Sequence, residues 1–341
     1  MKNYILRGEN AVFFECGYSC DNEIFICLDG VKFFITDARY ATEAKELINA
    51  DVSVICSNNL IKDARAILRR FAPKIVVFDP NDFSVSAFNA LTYRLRIHFL
   101  AKPDFSKQKR IIKSQSELEI LKQAAKFGAS CFDEFADFLR KNGEGKSEKE
   151  LHFYATQIFK QKNALNLSFE PILAINENAA KAHALPSDKI LRYGDLVLLD
   201  AGVKFKRYCS DRTRTACFDE NFSFDKTQNF KDKKQQEIYN IVLNAQKAAI
   251  NAVKIGVKAK DIDNAAREVI AKSGYGEFFI HSTGHGVGVD IHELPNINQK
   301  SEVVLEKGMV FSVEPGIYLP NELGVRIEDV VVVGENGAEI L

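Results

Sequence analysis

Two stretches of this chain share one pattern: a glycine, a run of apolar strand formers, and a carboxylate at the sixth residue after the glycine. They are GDLVLLD, from Gly194 to Asp200, and GMVFSVE, from Gly308 to Glu314. A second matched pair precedes them in the same order, GKSEKEL from Gly145 and GVKAKDI from Gly256. Each follows one long helical pattern and opens another. The offsets between copies are 111 and 114 residues, and a shared order at near-equal spacing indicates a duplicated half-domain. A duplicated unit of helices plus a strand hairpin predicts a pseudo-symmetric antiparallel sheet wrapped by helices.

The chemistry sits on those strands. Asp200 ends LVLLD, and the chain returns with Asp211 in DRTRTACF. If the turn lies at Phe205-Lys206, Asp200 faces Asp211 across a hairpin, with Cβ atoms roughly 5 Å apart. Phe-Lys is not a favoured two-residue turn, so a bulge near Gly202 is the expected way for that register to shift. In the second copy Glu314 sits in FSVEPG and Glu328 in GVRIEDVVVV. Alternation places Arg326 and Glu328 on one face, with Val325, Ile327 and Asp329 on the other. A lone charge near a strand is usually solvated. Four in matched positions require a different account. Buried and unpaired they would be prohibitive, and two divalent cations would neutralise them.

A histidine cluster lies in the same region. Three of the six histidines, His281, His285 and His292, fall within twelve residues, in HSTGHGVGVDIHELP. A zinc-protease helix is excluded, because His292-Glu293 lacks the second histidine ligand and Pro295 would break the helix. Gly284, Gly286 and Gly288 also favour an extended or looping backbone. One imidazole added to four carboxylates gives a five-ligand set of mostly hard oxygen donors. Such a set suits manganese, and the histidine makes iron, cobalt or zinc compatible as well. Two ions roughly 3.5–4 Å apart can share a water, lower its pKa and present hydroxide to a carbonyl. The expected chemistry is hydrolytic.

Composition narrows the setting. The 341 residues suggest two domains. Lys plus Arg equals Asp plus Glu at 46 each, which gives no global field for nucleic acid or an anionic membrane. No apolar run approaches a membrane span. The N-terminal MKNYILRGENAVFFECG places arginine and glutamate where a secretory signal needs an apolar run. The seven scattered cysteines suit reduced thiols. The expected location is cytoplasmic.

The N-terminal part reads as a smaller α/β domain over residues 1–105. EIFICLDGVKFFITDARY signals a hairpin around Asp29-Gly30. VSVIC, KIVVFDP and RLRIHFL read as further strands, with LIKDARAILRRF as a helix. AKPDFSKQKRIIKSQSE is polar and basic and reads as a linker. Ser116 with Glu119 resembles a capping box opening a long helix and the second domain, residues 116–341.

Asp200, Asp211, His285, Glu314 and Glu328, in that order, resemble the five metal ligands of metallopeptidases with the creatinase/aminopeptidase, or pita-bread, fold. LLDAG, SDRTRT, HSTGHGVGVDIHE, SVEPGIY and VRIEDVVVV are most similar to the Xaa-Pro aminopeptidase (aminopeptidase P) and prolidase branch. ITDARY in the first domain resembles that branch too. The resemblance covers roughly Ser116 to the C-terminus and implies an α+β pita-bread catalytic domain preceded by a smaller α/β domain. It implies two divalent metal ions held by those five residues, with Mn2+ the best fit and Co2+, Fe2+ or Zn2+ compatible. His183, His281 and His292 would line the substrate cleft. His183 and His292 would donate to the substrate carbonyl and tetrahedral intermediate, and Glu314 would also shuttle a proton. Arg326 would orient the carboxylates from behind.

The implied activity is hydrolysis of the X-Pro bond at a peptide N-terminus by a metal-bridging hydroxide. The partners are peptides with proline at the second position and a second copy of the chain, as a homodimer, with no nucleic acid and no membrane. An X-Pro bond has no N–H to grip, so a site acting on the carbonyl suits it. Four alternatives compete. A prolidase would cut dipeptides only. A non-catalytic binding protein on this fold is disfavoured by the complete ligand set, as is creatinase. The extra N-terminal domain argues against a methionine aminopeptidase.

Overall fold

Asp29 and Gly30 both adopt left-handed backbone, φ 49° and 88°, which closes a two-residue turn matched to the twist of a hairpin. Strands Glu23–Leu28 and Val31–Thr36 pair across it in register from Leu28↔Val31 to Glu23↔Thr36. In this computed structural model, which describes residues 2–341, the hairpin supplies the second and third strands of a six-stranded mixed sheet. Its spatial order is Val52–Cys56, Val31–Thr36, Glu23–Leu28, Tyr4–Leu6, Ile75–Phe78 and His98–Ala101. One apolar cluster lies around Phe25 and Phe34, and another around Ile24, Ile35, Leu68 and Phe78. Alternate residues of one strand supply opposite clusters, as a two-residue period requires.

The chain divides into two compact units, Met1–Lys109 and Arg110–Leu341. The stretch read as a linker is structured. It holds a short helix, Phe105–Arg110, and the side chains of Arg110 and Lys113 are buried. The long helix is Gln115–Asn142, capped by Ser114 and Glu117 rather than by Ser116 and Glu119. Ser114 supplies the extended N-cap conformation at φ −67°, ψ 164°, while Ser116 already lies in the first turn.

The second unit is built twice. Helix Glu148–Phe159 corresponds to Ala259–Lys272, each preceded by a longer helix. Gly145 donates to the Leu191 carbonyl and Gly256 to that of Leu305, while Gly194 donates to Phe218 and Gly308 to Val333. Bridges Ser147↔Ile190 and Lys258↔Val304 repeat the pattern. The corresponding residues are 111 apart at Gly145/Gly256 and Ser147/Lys258 and 114 apart at the remaining positions, except Phe218/Val333, where one further residue intervenes. Among the strands, Ile172 faces Asp200 in the first half, and Glu314 donates its N–H to Thr283 O in the second. The halves meet where Glu328 N–H donates to Thr213 O at 3.0 Å and Thr215 Oγ1 donates to Arg326 O at 2.9 Å. No helix among the described residues is long and apolar enough to cross a membrane.

The first-half hairpin corrects one expectation. Asp200 faces Thr213, not Asp211, and the same register continues to Phe205↔Tyr208. The turn is at Lys206-Arg207, with φ 47° and 71°. Two long cationic side chains rarely occupy left-handed positions, so composition gave no cue. No bulge shifts the ladder. Asp200 and Asp211 are instead diagonal neighbours on one face, and Gly202 sits across from Asp211.

A Cβ on Gly202 would lie 1.9 Å from the Ser210 carbonyl oxygen. Gly194 has φ 91° but open space around it. We therefore expect Gly194→Ala to destabilise by about 1–2 kcal/mol, the cost of left-handed backbone. Gly202→Ala should destabilise by more, as urea unfolding would show.

Candidate metal centre

Strand Leu196–Asp200 is buried throughout, so its terminal carboxylate emerges from an apolar wall. Asp200, Asp211 and Glu328 are each less than a tenth exposed. All nine candidate residues, His183, Asp200, Asp211, His281, His285, His292, Glu314, Arg326 and Glu328, line one cavity of about 560 Å³ in the second unit. Ligand-capable atoms of Asp211, His285 and Glu328 lie within 4.8 Å of one another. Glu314 Oε1 is 3.4 Å from His285 Nε2, and Asp211 Oδ2 is 3.6 Å from it.

One guanidinium organises the rear of this group. Arg326 donates from Nη2 to Asp200 Oδ2 at 2.6 Å, from Nε to Thr213 Oγ1 at 3.0 Å, and from Nη1 to Tyr318 OH at 2.8 Å and Ala182 O at 3.2 Å. The Thr213 hydroxyl in turn donates a hydrogen bond to Glu328 Oε2 at 2.6 Å. Register thus explains why Thr213 matters: it faces Asp200 and bridges Arg326 to Glu328. Arg214, one residue on, points to the other face and pairs with Asp329 at 2.7 Å.

The electrostatics call for a cation. Burial, then the charges of Glu328, Asp200 and Glu314, push Asp211 well above the usual carboxylate range. Burial, then Glu314 and Asp200, does the same to Glu328. Burial lifts Glu314 to about 7, with Arg326 opposing and Asp200 adding to the rise. Burial also lowers His285, favouring a neutral ring. Its Nδ1–H donates to Gly286 O at 3.0 Å, so Nε2 presents a lone pair towards two carboxylates. Asp200 Oδ1 is buried without a hydrogen-bond partner. Lone pairs converging with no proton donor between them are the donor set of a metal site. The residues present fit the expected ions.

The cleft histidines differ from one another. His281 is satisfied at both nitrogens: Nδ1 donates to Ser282 O and Nε2 accepts from Tyr318 OH, each at 2.8 Å. Burial, then Arg326, lowers it to about 4. His292 packs edge-on against His285, ring centroids 4.3 Å apart. His183 is on an exposed loop. Sequence reasoning missed Tyr318 and the cavity residues His152, Phe169, Glu170, Leu185 and Ile291. A signal existed for one of them, since Glu170 precedes His281 by the repeat offset of 111 residues.

The fold and the donor set together define a metal-dependent hydrolase frame, and comparison with known proteins gives the class. The family described as metallopeptidase family M24 matches residues 119–335, more than half of the chain. The chain belongs to that family, whose pita-bread fold accounts for the duplicated halves. It is 42 % identical over 238 residues to an Xaa-Pro dipeptidase of Pyrococcus furiosus, a match covering 70 % of this chain and 65 % of that protein. The chain thus spans just under two thirds of that relative's length. An Xaa-Pro dipeptidase structure from Bacillus anthracis superposes with TM-score 0.90 at 32 % identity, over 99 % of this chain and 92 % of that one. An X-Pro aminopeptidase from Thermotoga maritima superposes with TM-score 0.87 at 30 % identity, over 100 % and 95 %.

A raised carboxyl pKa has a defined sign in stability. The folded state holds protons that the unfolded state releases, so the metal-free protein loses stability as pH rises from 4.5, the ordinary glutamate value, to about 7 for Glu314. Bound divalent ions replace those protons. The gap in melting temperature between Mn(II)-loaded and chelated protein should therefore widen by about 3 °C or more between pH 5 and pH 7. Differential scanning fluorimetry would measure it, and a pH-independent gap would count against the site.

Proposed function

We propose that this chain is an Xaa-Pro aminopeptidase, a dinuclear-metal hydrolase that removes the residue preceding proline from peptides longer than two residues. The observation that carries the length preference is the state of Arg326. Among the described residues it is the only guanidinium lining the cavity, and Asp200, Thr213, Tyr318 and Ala182 already take four of its five N–H donors. A dipeptidase must hold the free carboxylate of the proline, for which a paired arginine is the usual partner. Glu170, a mostly exposed carboxylate 3.2 Å from His152 Nε2, also lines the cavity and would repel such an anion. The dipeptidase reading is favoured instead by the names of similar proteins, both the P. furiosus relative and the B. anthracis structure.

Asp200, Asp211, His285, Glu314 and Glu328 would hold two divalent ions, with Mn2+ preferred by the oxygen-rich set. When bound, the ions polarise the scissile carbonyl and lower the pKa of water. The chain's own groups do the rest. Arg326 holds Asp200, and through Thr213 it fixes Glu328. His183 and His292 donate to the carbonyl oxygen as negative charge develops there. Glu314 carries a proton from water to the leaving ring nitrogen. Phe169, Ile172, Leu185 and Ile291 line the cavity and offer an apolar wall to the proline ring.

His285→Ala should lose bound metal. His183→Ala and His292→Ala should keep it and lower kcat by about a hundredfold, the scale for one oxyanion donor. Loss of metal from His292→Ala would contradict the division of roles. Substrate length is tested by kcat/KM for Ala-Pro against Ala-Pro-Ala. Preference for the tripeptide is expected, and cleavage of the dipeptide alone would assign a prolidase.

A further inference from the structure

Glu148 is fully buried, lies in helix Glu148–Phe159, and is not among the residues lining the cavity. A buried carboxylate is costly unless every lone pair is used. Here four donors converge on it. Ile175 N–H donates to Oε1 at 2.7 Å. Asn178 Nδ2 donates to Oε2 at 2.7 Å, as do Ser187 N–H at 2.7 Å and Ser187 Oγ–H at 2.6 Å. None of the four donors carries a charge.

These donors come from both ends of one segment, 175–187. The segment leaves strand Ile172–Ile175, passes His183 and returns at Ser187. Asn178 Nδ2 also donates to Leu185 O at 3.1 Å, and Arg326 Nη1 reaches Ala182 O at 3.2 Å. The imidazole of His183 has no such support. The residue is exposed, and no hydrogen bond from another described residue fixes its ring. Its position at the cavity is therefore set by its backbone, and the backbone is set by the carboxylate that draws the two ends together.

We infer that Glu148 is the positioning residue for His183: a buried anion that staples the loop and so delivers the imidazole to the substrate carbonyl. The inference rests on the proposed role of His183, but its structural half does not. The two other cleft histidines have comparable supports. Asp263 accepts from Thr283 N–H at 2.9 Å and pairs with Arg267, which donates to the His281 carbonyl. Glu293, next to His292, pairs with Arg110 at 3.0 Å and Lys113 at 2.8 Å. Those two anions have cations. Glu148 has only neutral donors, and removing its charge weakens the whole set at once.

The test is a double-mutant cycle between Glu148→Gln and His183→Ala in the Mn(II)-loaded full chain, with Ala-Pro-Ala as substrate. Glu148→Gln should lower kcat by about tenfold to a hundredfold, the scale of a misplaced catalytic group, with metal content unchanged and KM moved less than threefold. Glu148→Asp should recover part of the loss. In the His183→Ala background, Glu148→Gln should cost less than about twofold more, because the residue it positions is gone. Additive losses would overturn the inference, as would wild-type kcat in Glu148→Gln together with an unchanged His183 ring signal. If Glu148→Gln fails to fold, Ser187→Ala removes one donor and should show the same non-additivity with His183→Ala. A second readout needs no substrate. In the chelated, metal-free chain, where no paramagnetic Mn(II) broadens it, the His183 ring carbon–proton NMR signal, assigned by its absence in His183→Ala, should move to the free-histidine position in Glu148→Gln or Ser187→Ala. An unchanged His183 signal would overturn the positioning role. A changed signal with no effect on peptide cleavage would overturn the proposed role of His183 instead.

Discussion

Like-charge repulsion inside an apolar cavity is the constraint on which the rest of this unit depends. Asp200, Asp211, Glu314 and Glu328 face one space, and Arg326 neutralises only one of them directly. Coulomb energies between such groups are large because little water screens them. A protein can bear this in two ways, by retaining protons or by binding cations. The first is visible in the upward displacement of Asp211, Glu314 and Glu328. The second is the use for which the converging carboxylates and His285 are suited.

Holding these groups in place is the task of a second set of buried ions. Asp329 lies behind Glu328 and is gripped by Arg214, Lys226 and Gln246. Arg110 and Lys113 grip Glu293 beside His292. Breaking such a pair leaves an uncompensated buried charge, so each acts as a rigid anchor. The opposing faces of one strand connection illustrate the arrangement: Glu328 turns to the cavity and Asp329 to the supporting cations.

Much of this was legible in the chain. The repeat offsets fixed the duplicated frame, because a pseudo-symmetric unit reuses the same hydrogen bonds at Gly145 and Gly256, and at Gly194 and Gly308. The carboxylate at the end of an apolar strand was readable because such a residue needs a reason to be there. Register was not readable, since a Lys206-Arg207 turn carries no glycine or asparagine to mark it. The cap at Ser114 was missed because two serines, Ser114 and Ser116, both had a glutamate three residues on. The ionic anchors were hidden for a different reason: Arg110 and Lys113 look like solvated linker charges until Glu293, about 180 residues away, is brought beside them. Long-range pairing leaves no local trace in sequence.

The most direct measurement of the central claim is metal stoichiometry coupled to activity. Chelated protein is titrated with Mn(II), bound metal is counted by elemental analysis, and cleavage of Ala-Pro-Ala is followed at each point. About two ions should bind per chain, activity should rise with occupancy, and Asp211→Asn should bind less metal. Chelated, metal-free protein that hydrolyses the peptide at the rate of the loaded enzyme would contradict the claim.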